Sequence, residues 1–172
     1  VLTIESPGDP TVEEIALVDG AVVDASAVGA RAVTHPRAIR AVVAAISSPT
    51  STGLSSIAGR TLPLGRSDDG AVVVVLGPRD VGDATVRRVR VPIVPGGFAE
   101  LAVESVSTLT ERDCVTFDGP CVLAYDGERD RVLPARATAT VRVDRRGPVL
   151  VDVDRTLRCA AARHLFDVPT VL

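Results

Sequence analysis

The side chains best suited to chemistry lie in two short stretches. The first, Ser47-Ser48-Pro49-Thr50-Ser51-Thr52-Gly53-Leu54-Ser55-Ser56-Ile57-Ala58-Gly59-Arg60, is rich in hydroxyls and glycine and carries no charge before its last residue. Small side chains of this kind let backbone amides approach a ligand closely, as a phosphate or ribose site requires. The competing reading is a long connection kept hydrated by Ser and Thr. The second stretch is Asp126-Gly127-Glu128, whose carboxylates suit a ribose or a metal. Arg31 and Arg60 supply guanidinium groups able to hold an anion through paired hydrogen bonds. The candidate ligand-binding residues are therefore Arg31, Thr50, Ser51, Thr52, Gly53, Ser55, Ser56, Arg60, Asp126, Gly127 and Glu128. Each has a structural reading as well. Asp-Gly closes hairpins routinely, Glu128 and Arg129 suit a cross-strand ion pair, and both arginines serve as solvated charges.

Other catalytic constellations are missing. His35 and His164 are far apart, and the three cysteines (Cys114, Cys121, Cys159) show neither C-x-x-C nor the spacing of zinc ligands. His35, beside a helix start, reads as a surface residue. No G-x-S-x-G elbow and no recognisable Ser and carboxylate accompany either histidine, which weakens a hydrolase working alone. No catalytic residue or metal ligand is assigned.

The elements that position these residues read mostly as strands. Val122–Leu133 holds two strand-like runs meeting at Asp126-Gly127, and the rest of the chain reads as layers added to this hairpin. Leu2–Ile4 is an apolar stub. Thr11–Val18 and Ala21–Ser26 are predicted to pair across Asp19-Gly20. Ile39, Val42, Val43 and Ile46 recur at helical spacing behind Thr34-His35-Pro36, which predicts a helix with one apolar face. Ala71–Leu76 is a continuous apolar run, suited to a strand buried on both faces. Thr85–Val91 alternates Val with Arg, and Pro92 makes Ile93-Val94 an edge or corner. Phe98–Val106 sets Leu101 and Val103 on one face and Glu100 and Glu104 on the solvated other, and Ser107–Arg112 reads as a polar turn. Cys114 and Cys121 flank the Phe117–Pro120 turn as cross-strand neighbours, two reduced core thiols in preference to a disulfide. Ala137–Val143 and Val149–Val153 are strands around Arg145-Arg146-Gly147-Pro148. Asp154–Phe166 is a helix with Asp152 or Asp154 as its cap and Leu157, Ala160, Ala161 and Leu165 on one side. Around ten strands with regular turn signals predict a mainly β fold, an antiparallel sandwich with one or two short helices in a single domain over 1–172.

Composition sharpens this picture. Hydrophobic residues make up 46% of the 172 and aromatics only 2%, with no Met or Trp, so the core must be Val, Ala, Leu and Ile. Val is stiff at χ1 and packs well on a pleated surface. All 19 basic residues are Arg and the net charge is −3, with no basic run and few rings to stack on bases, so nucleic-acid binding is disfavoured. No apolar run reaches the roughly 20 residues a membrane helix needs, so a cytoplasmic domain without a membrane partner is expected. The chain begins on Val1, which leaves open whether it is whole or part of a longer protein.

Gly29-Ala30-Arg31-Ala32, Gly53-Leu54-Ser55-Ser56-Ile57-Ala58-Gly59, Val94-Pro95-Gly96, Ala124-Tyr125-Asp126-Gly127-Glu128-Arg129 and Gly147-Pro148-Val149 occur in an order that resembles the C-terminal domain of ATP-NAD kinase-like proteins, and most of all its acetoin catabolism protein X branch. The resemblance covers about Ile15 to Phe166. It implies a β-rich domain that packs on a Rossmann-like domain carrying Gly-Gly-Asp-Gly-Thr, which binds ATP phosphates and supplies the catalytic carboxylate; that motif is absent from this chain. True NAD kinases add an Asn-Glu pair and a Thr-Pro-Thr-Gly-Ser-Thr-Ala-Tyr loop. Ser48–Ser55 is similar in composition but permuted, and the chain has no Asn. The implied function is a ligand-binding domain for a nucleotide or phosphorylated small molecule, drawing on NAD(P) or ATP with Mg and acting with a separate catalytic domain. A different class of reading is a structural module whose Val-rich sheets assemble into a homo-oligomer with no small ligand.

Overall fold

The computed structural model describes residues 2–4, 12–19, 39–65, 68–77, 86–126, 129–144 and 151–167. Its strands are β1 (Leu2–Ile4), β2 (Glu14–Asp19), β3 (Ile39–Ala44), β4 (Ala71–Leu76), β5 (Arg87–Val94), β6 (Gly97–Leu109), β7 (Cys114–Asp118), β8 (Cys121–Tyr125), β9 (Arg129–Leu133) and β10 (Thr138–Val143). Among the described residues two helices accompany them, α1 (Ser55–Thr61) and α2 (Val153–Ala162). A seven-stranded antiparallel sheet runs in the order β5-β6-β4-β3-β2-β8-β9, and a three-stranded sheet in the order β1-β10-β7. The expected mainly β class with short helices is what the chain forms.

Strand alternation sorts the core into two layers, one on each face of the large sheet. On one face Ala16 and Val18, Val42 and Ala44, Val72 and Val74, and Val122 and Ala124 pack under Leu54, Ile57 and Ala58 of the α1 region. On the other, Ile15 and Leu17, Val43, Val73, Leu123 and Tyr125 pack against Leu2, Ala139, Val141 and Val143 of the small sheet. Successive residues of a strand point to opposite faces, so a strand covered on both sides must be apolar throughout. β4 (AVVVVL) meets that condition, as its sequence predicts.

The predicted helix over Ile39–Ile46 is corrected by the same rule. The segment is β3, fully enclosed between β2 and β4. Its apolar residues fill both faces, and such a run satisfies helical spacing and double burial equally. The β-branched Val42-Val43 pair tips the choice toward a strand, since both are completely buried in a pleated layer. β2 consequently pairs with β3 and β8. Its expected partner Ala21–Ser26 lies outside the described residues, as do His35 and Arg145–Pro148.

Three smaller expectations also change. Cys114 and Cys121 are not cross-strand neighbours, because the chain passes from the small sheet to the large one between β7 and β8. Cys114 stands opposite Arg142 and is exposed, while Cys121 stands opposite Leu133 and is buried, both as free thiols. Val151–Val153 does not continue a strand; Val153 opens α2, capped by Asp152, which accepts the Arg155 N–H at 2.8 Å. β6 runs on to Leu109, and the turn follows at Thr110–Asp113, where Asp113 accepts the Thr110 N–H and hydroxyl at 3.0 and 2.6 Å.

α2 buries none of its residues, and Leu157 on its apolar side is 51% exposed. Leu157→Ala is therefore expected to change the free energy of unfolding by less than about 0.5 kcal/mol, measured by urea denaturation. A larger loss would mean that α2 packs on the body of the domain in solution. Among the described residues no helix is long and apolar enough to cross a membrane.

Candidate functional site

The site sits where the layer under α1 runs out. Glu14 shares its strand face with Ala16 and Val18, Asp126 follows in phase with Val122 and Ala124, and Ile46 follows in phase with Val42 and Ala44. Strand alternation places Glu14 on that face, and the bends that follow β3 and β8 bring Ile46 and Asp126 to the same rim of the large sheet. The segment leaving β3 folds over that rim. Glu13, Glu14, Ile46, Ser48, Ser51, Ser55 and Asp126 line one hollow of about 440 Å³.

Asp126 is held firmly. It occupies the left-handed region (φ 51°) at the bend between β8 and β9, a conformation Asp tolerates better than most residues. Its Oδ1 accepts the Glu13 and Glu14 N–H groups at 2.9 and 2.8 Å, and its own N–H donates to the Glu14 carbonyl at 3.0 Å. Its Oδ2 lies 3.7 Å from the Arg129 guanidinium. The carboxylate thereby ties the start of β2 to the end of β8, 112 positions away.

The hydroxyl segment is ordered by its own bonds. Ser48 Oγ and Thr50 Oγ1 are 2.8 Å apart, and the Ser51 N–H donates to the Ser48 carbonyl at 3.1 Å. Gly53 adopts φ +75° and donates its N–H to the Pro92 carbonyl at 2.9 Å, which anchors the segment to edge strand β5. α1 then packs so closely that Gly59 has no room for a side chain. A Cβ there would lie 1.9 Å from the Ser48 carbonyl oxygen.

Of the predicted site residues, Ser51, Ser55 and Asp126 come together in the hollow. Thr50 and Thr52 are exposed on the same segment without lining it, and Gly53 shapes the turn. Ser56 is fully buried and donates to the Gly53 carbonyl at 2.6 Å, a bond that fixes the turn. Arg60 is exposed in the last turn of α1, away from the lining. Arg31, Gly127 and Glu128 lie outside the described residues. Glu13, Glu14 and Ser48 were not predicted. The available signal was Glu14 itself, a charged residue leading into the apolar run Ile15-Ala16-Leu17-Val18.

Glu14 is the most unusual group in the site. Its residue is only 6% exposed, Ser55 hydrogen-bonds its carboxylate, and Oε2 has no hydrogen-bond partner among the described residues. Burial pushes its carboxyl from 4.5 up to about 6, the Ser55 hydroxyl pulls the other way, and the negative charge of Asp126 adds to the rise. A raised carboxyl means that the folded state disfavours the ionised form. The group's contribution to stability is fully present below the unfolded value and is lost as pH rises through about 6, a penalty of about 2 kcal/mol by pH 8. Glu14→Gln is therefore expected to gain about 2 kcal/mol on wild type when urea unfolding is moved from pH 4 to pH 8. An unchanged difference between the two proteins would place the carboxyl in water.

Among the described residues no group of three His, Cys, Asp or Glu side chains is arranged to hold a metal ion. The fold and site together define a two-sheet β domain with a carboxylate and hydroxyl hollow at one rim. Residues 1–146 match the acetoin catabolism protein X C-terminal domain, and the chain belongs to that family. It is 29% identical over 154 residues to the acetoin catabolism protein X of Cupriavidus necator, a match covering 89% of this chain and 42% of that protein. The chain thus spans less than half the length of this relative. No solved structure matches.

Proposed function

We propose that this chain is a small-molecule-binding domain that takes a nucleotide or phosphorylated small molecule in the hollow between the Ser48–Ser55 segment and the Asp126 bend. The observation that carries the reading is the convergence of Ser48, Ser51, Ser55, Glu14 and Asp126, drawn from three distant parts of the chain, on one hollow of about 440 Å³. Sites for small ligands combine a concavity of this size with a few convergent polar groups. The finer reading places the domain among NAD kinase-like proteins, supported by the motif order described above. In that reading ATP phosphates and the catalytic carboxylate belong to a Gly-Gly-Asp-Gly-Thr domain on a partner or on another segment, and the present domain binds without completing phosphoryl transfer itself. The same reading makes it a cytoplasmic domain.

Thermal unfolding with NAD, NADP, ATP and polyphosphate is the test. A ligand at a hundred times its dissociation constant adds about 2.7 kcal/mol, or roughly 5–10 °C for a domain of this size. No shift with any of the four would remove the reading.

The second reading, an assembly module, is favoured by the apolar groups left open on the sheet margins. Val94 is 39%, Phe98 56% and Val132 54% exposed. It predicts a melting temperature that rises with protein concentration and does not respond to the ligands.

A further inference from the structure

We infer that the hollow receives the hydroxyl-bearing, uncharged end of its ligand, a vicinal diol of a sugar, and that the Glu14 carboxylate is the acceptor that selects it. The inference rests on the ligand-binding reading above and says which part of the ligand enters. The argument starts from what lines the cavity. Among the described residues that line it, Glu13, Glu14 and Asp126 are acidic, Ser48, Ser51 and Ser55 are neutral, and none is an arginine. The one guanidinium paired with Asp126, that of Arg129, is on Oδ2 and outside the lining. A phosphate placed here would meet carboxylates at short range with no cation among the described lining residues to offset them, in surroundings that already raise the Glu14 carboxyl. The described lining thus disfavours the anionic end of a nucleotide.

What the cavity leaves open is an acceptor. Oε2 is buried with no hydrogen-bond partner among the described residues, while Ser55 already occupies the same carboxylate. A buried acceptor left open costs stability unless something donates to it. A carboxylate oxygen accepts well from two adjacent hydroxyls, and serine hydroxyls beside it can either accept or donate to complete the pattern. Asp126 is less able to serve, since its Oδ1 is committed to two backbone N–H groups.

The test compares ATP, 2′,3′-dideoxy-ATP, ribose 5-phosphate and tripolyphosphate by isothermal titration against wild type, Glu14→Gln and Ser51→Ala. Expected results are that dideoxy-ATP binds wild type at least about 10-fold more weakly than ATP and that tripolyphosphate binds no better than dideoxy-ATP. In Glu14→Gln the advantage of ATP over dideoxy-ATP shrinks to under about 3-fold. Equal affinity for ATP and dideoxy-ATP, or an ATP advantage that survives Glu14→Gln, overturns this inference and leaves the ligand-binding reading standing. Failure of every probe, NAD and NADP included, overturns both. Circular dichroism spectra confirm that the variants are folded; if Glu14→Gln is not, Ser51→Ala is expected to narrow the advantage of ATP over dideoxy-ATP, and an advantage unchanged in Ser51→Ala overturns the inference.

Discussion

Gly59→Ala is expected to lower the thermal midpoint by about 6–12 °C, because a methyl group forced into a packed site costs about 3 kcal/mol in a domain of this length. The Cβ would stand 1.9 Å from the Ser48 carbonyl oxygen and 2.5 Å from its carbon, and both are backbone atoms that no rotamer change can clear. Either α1 shifts or the 48 peptide does. Both carry residues of the hollow, Ser55 on one and Ser48 with Ser51 on the other. Ligand binding should therefore weaken along with stability. Gly53→Ala makes a useful comparison, because nothing lies within 4 Å of its added Cβ and only the φ of +75° is strained. It is expected to cost about 1 kcal/mol. Equal midpoints for the two variants, measured by differential scanning calorimetry, would show that α1 is not held against the 48 backbone.

Asp126→Ala should be comparably severe, at about 3 kcal/mol. Two N–H bonds to a charged oxygen are lost, at 2.9 and 2.8 Å, and alanine inherits a φ of 51° that suits it poorly. Asp126→Asn keeps an acceptor oxygen and tolerates the left-handed backbone, so it should recover most of the loss, to within about 1 kcal/mol of wild type. Urea midpoints of the two variants decide the matter. If asparagine is as damaging as alanine, the charge and its approach to Arg129 outweigh the two backbone bonds.

Much of the sheet was readable from the chain because its signals are local. The alternation of Val with Arg in β5, the solid valine run of β4 and the turn at Asp126 each declare themselves within a few residues. β3 was misread because helical spacing and burial on both faces demand the same apolar residues, and only the neighbours β2 and β4 decide between them. α1 was hidden for a related reason. Ser55 to Thr61 is short, hydroxyl-rich and interrupted by Gly59, so its helical state comes from packing against the core and the 48 backbone more than from propensity. Three of the seven lining residues, Ser51, Ser55 and Asp126, were legible. Glu14 was not, since its role depends on a bend 112 positions later being placed beside it. Arg60 carried the right charge for an anion, but α1 turns it outward.

That 112-position reach also bears on the order in which the molecule is made. β2 finds β8 only after the intervening strands exist, so the cavity has no local precursor that could form while the polypeptide is still short. On a ribosome, residue 14 emerges long before residue 126, and until the later segment arrives the Glu13 and Glu14 amides remain without their acceptor. A nascent chain arrested short of Asp126 should be blind to any ligand, with recognition switching on only after the β8 strand has left the exit tunnel.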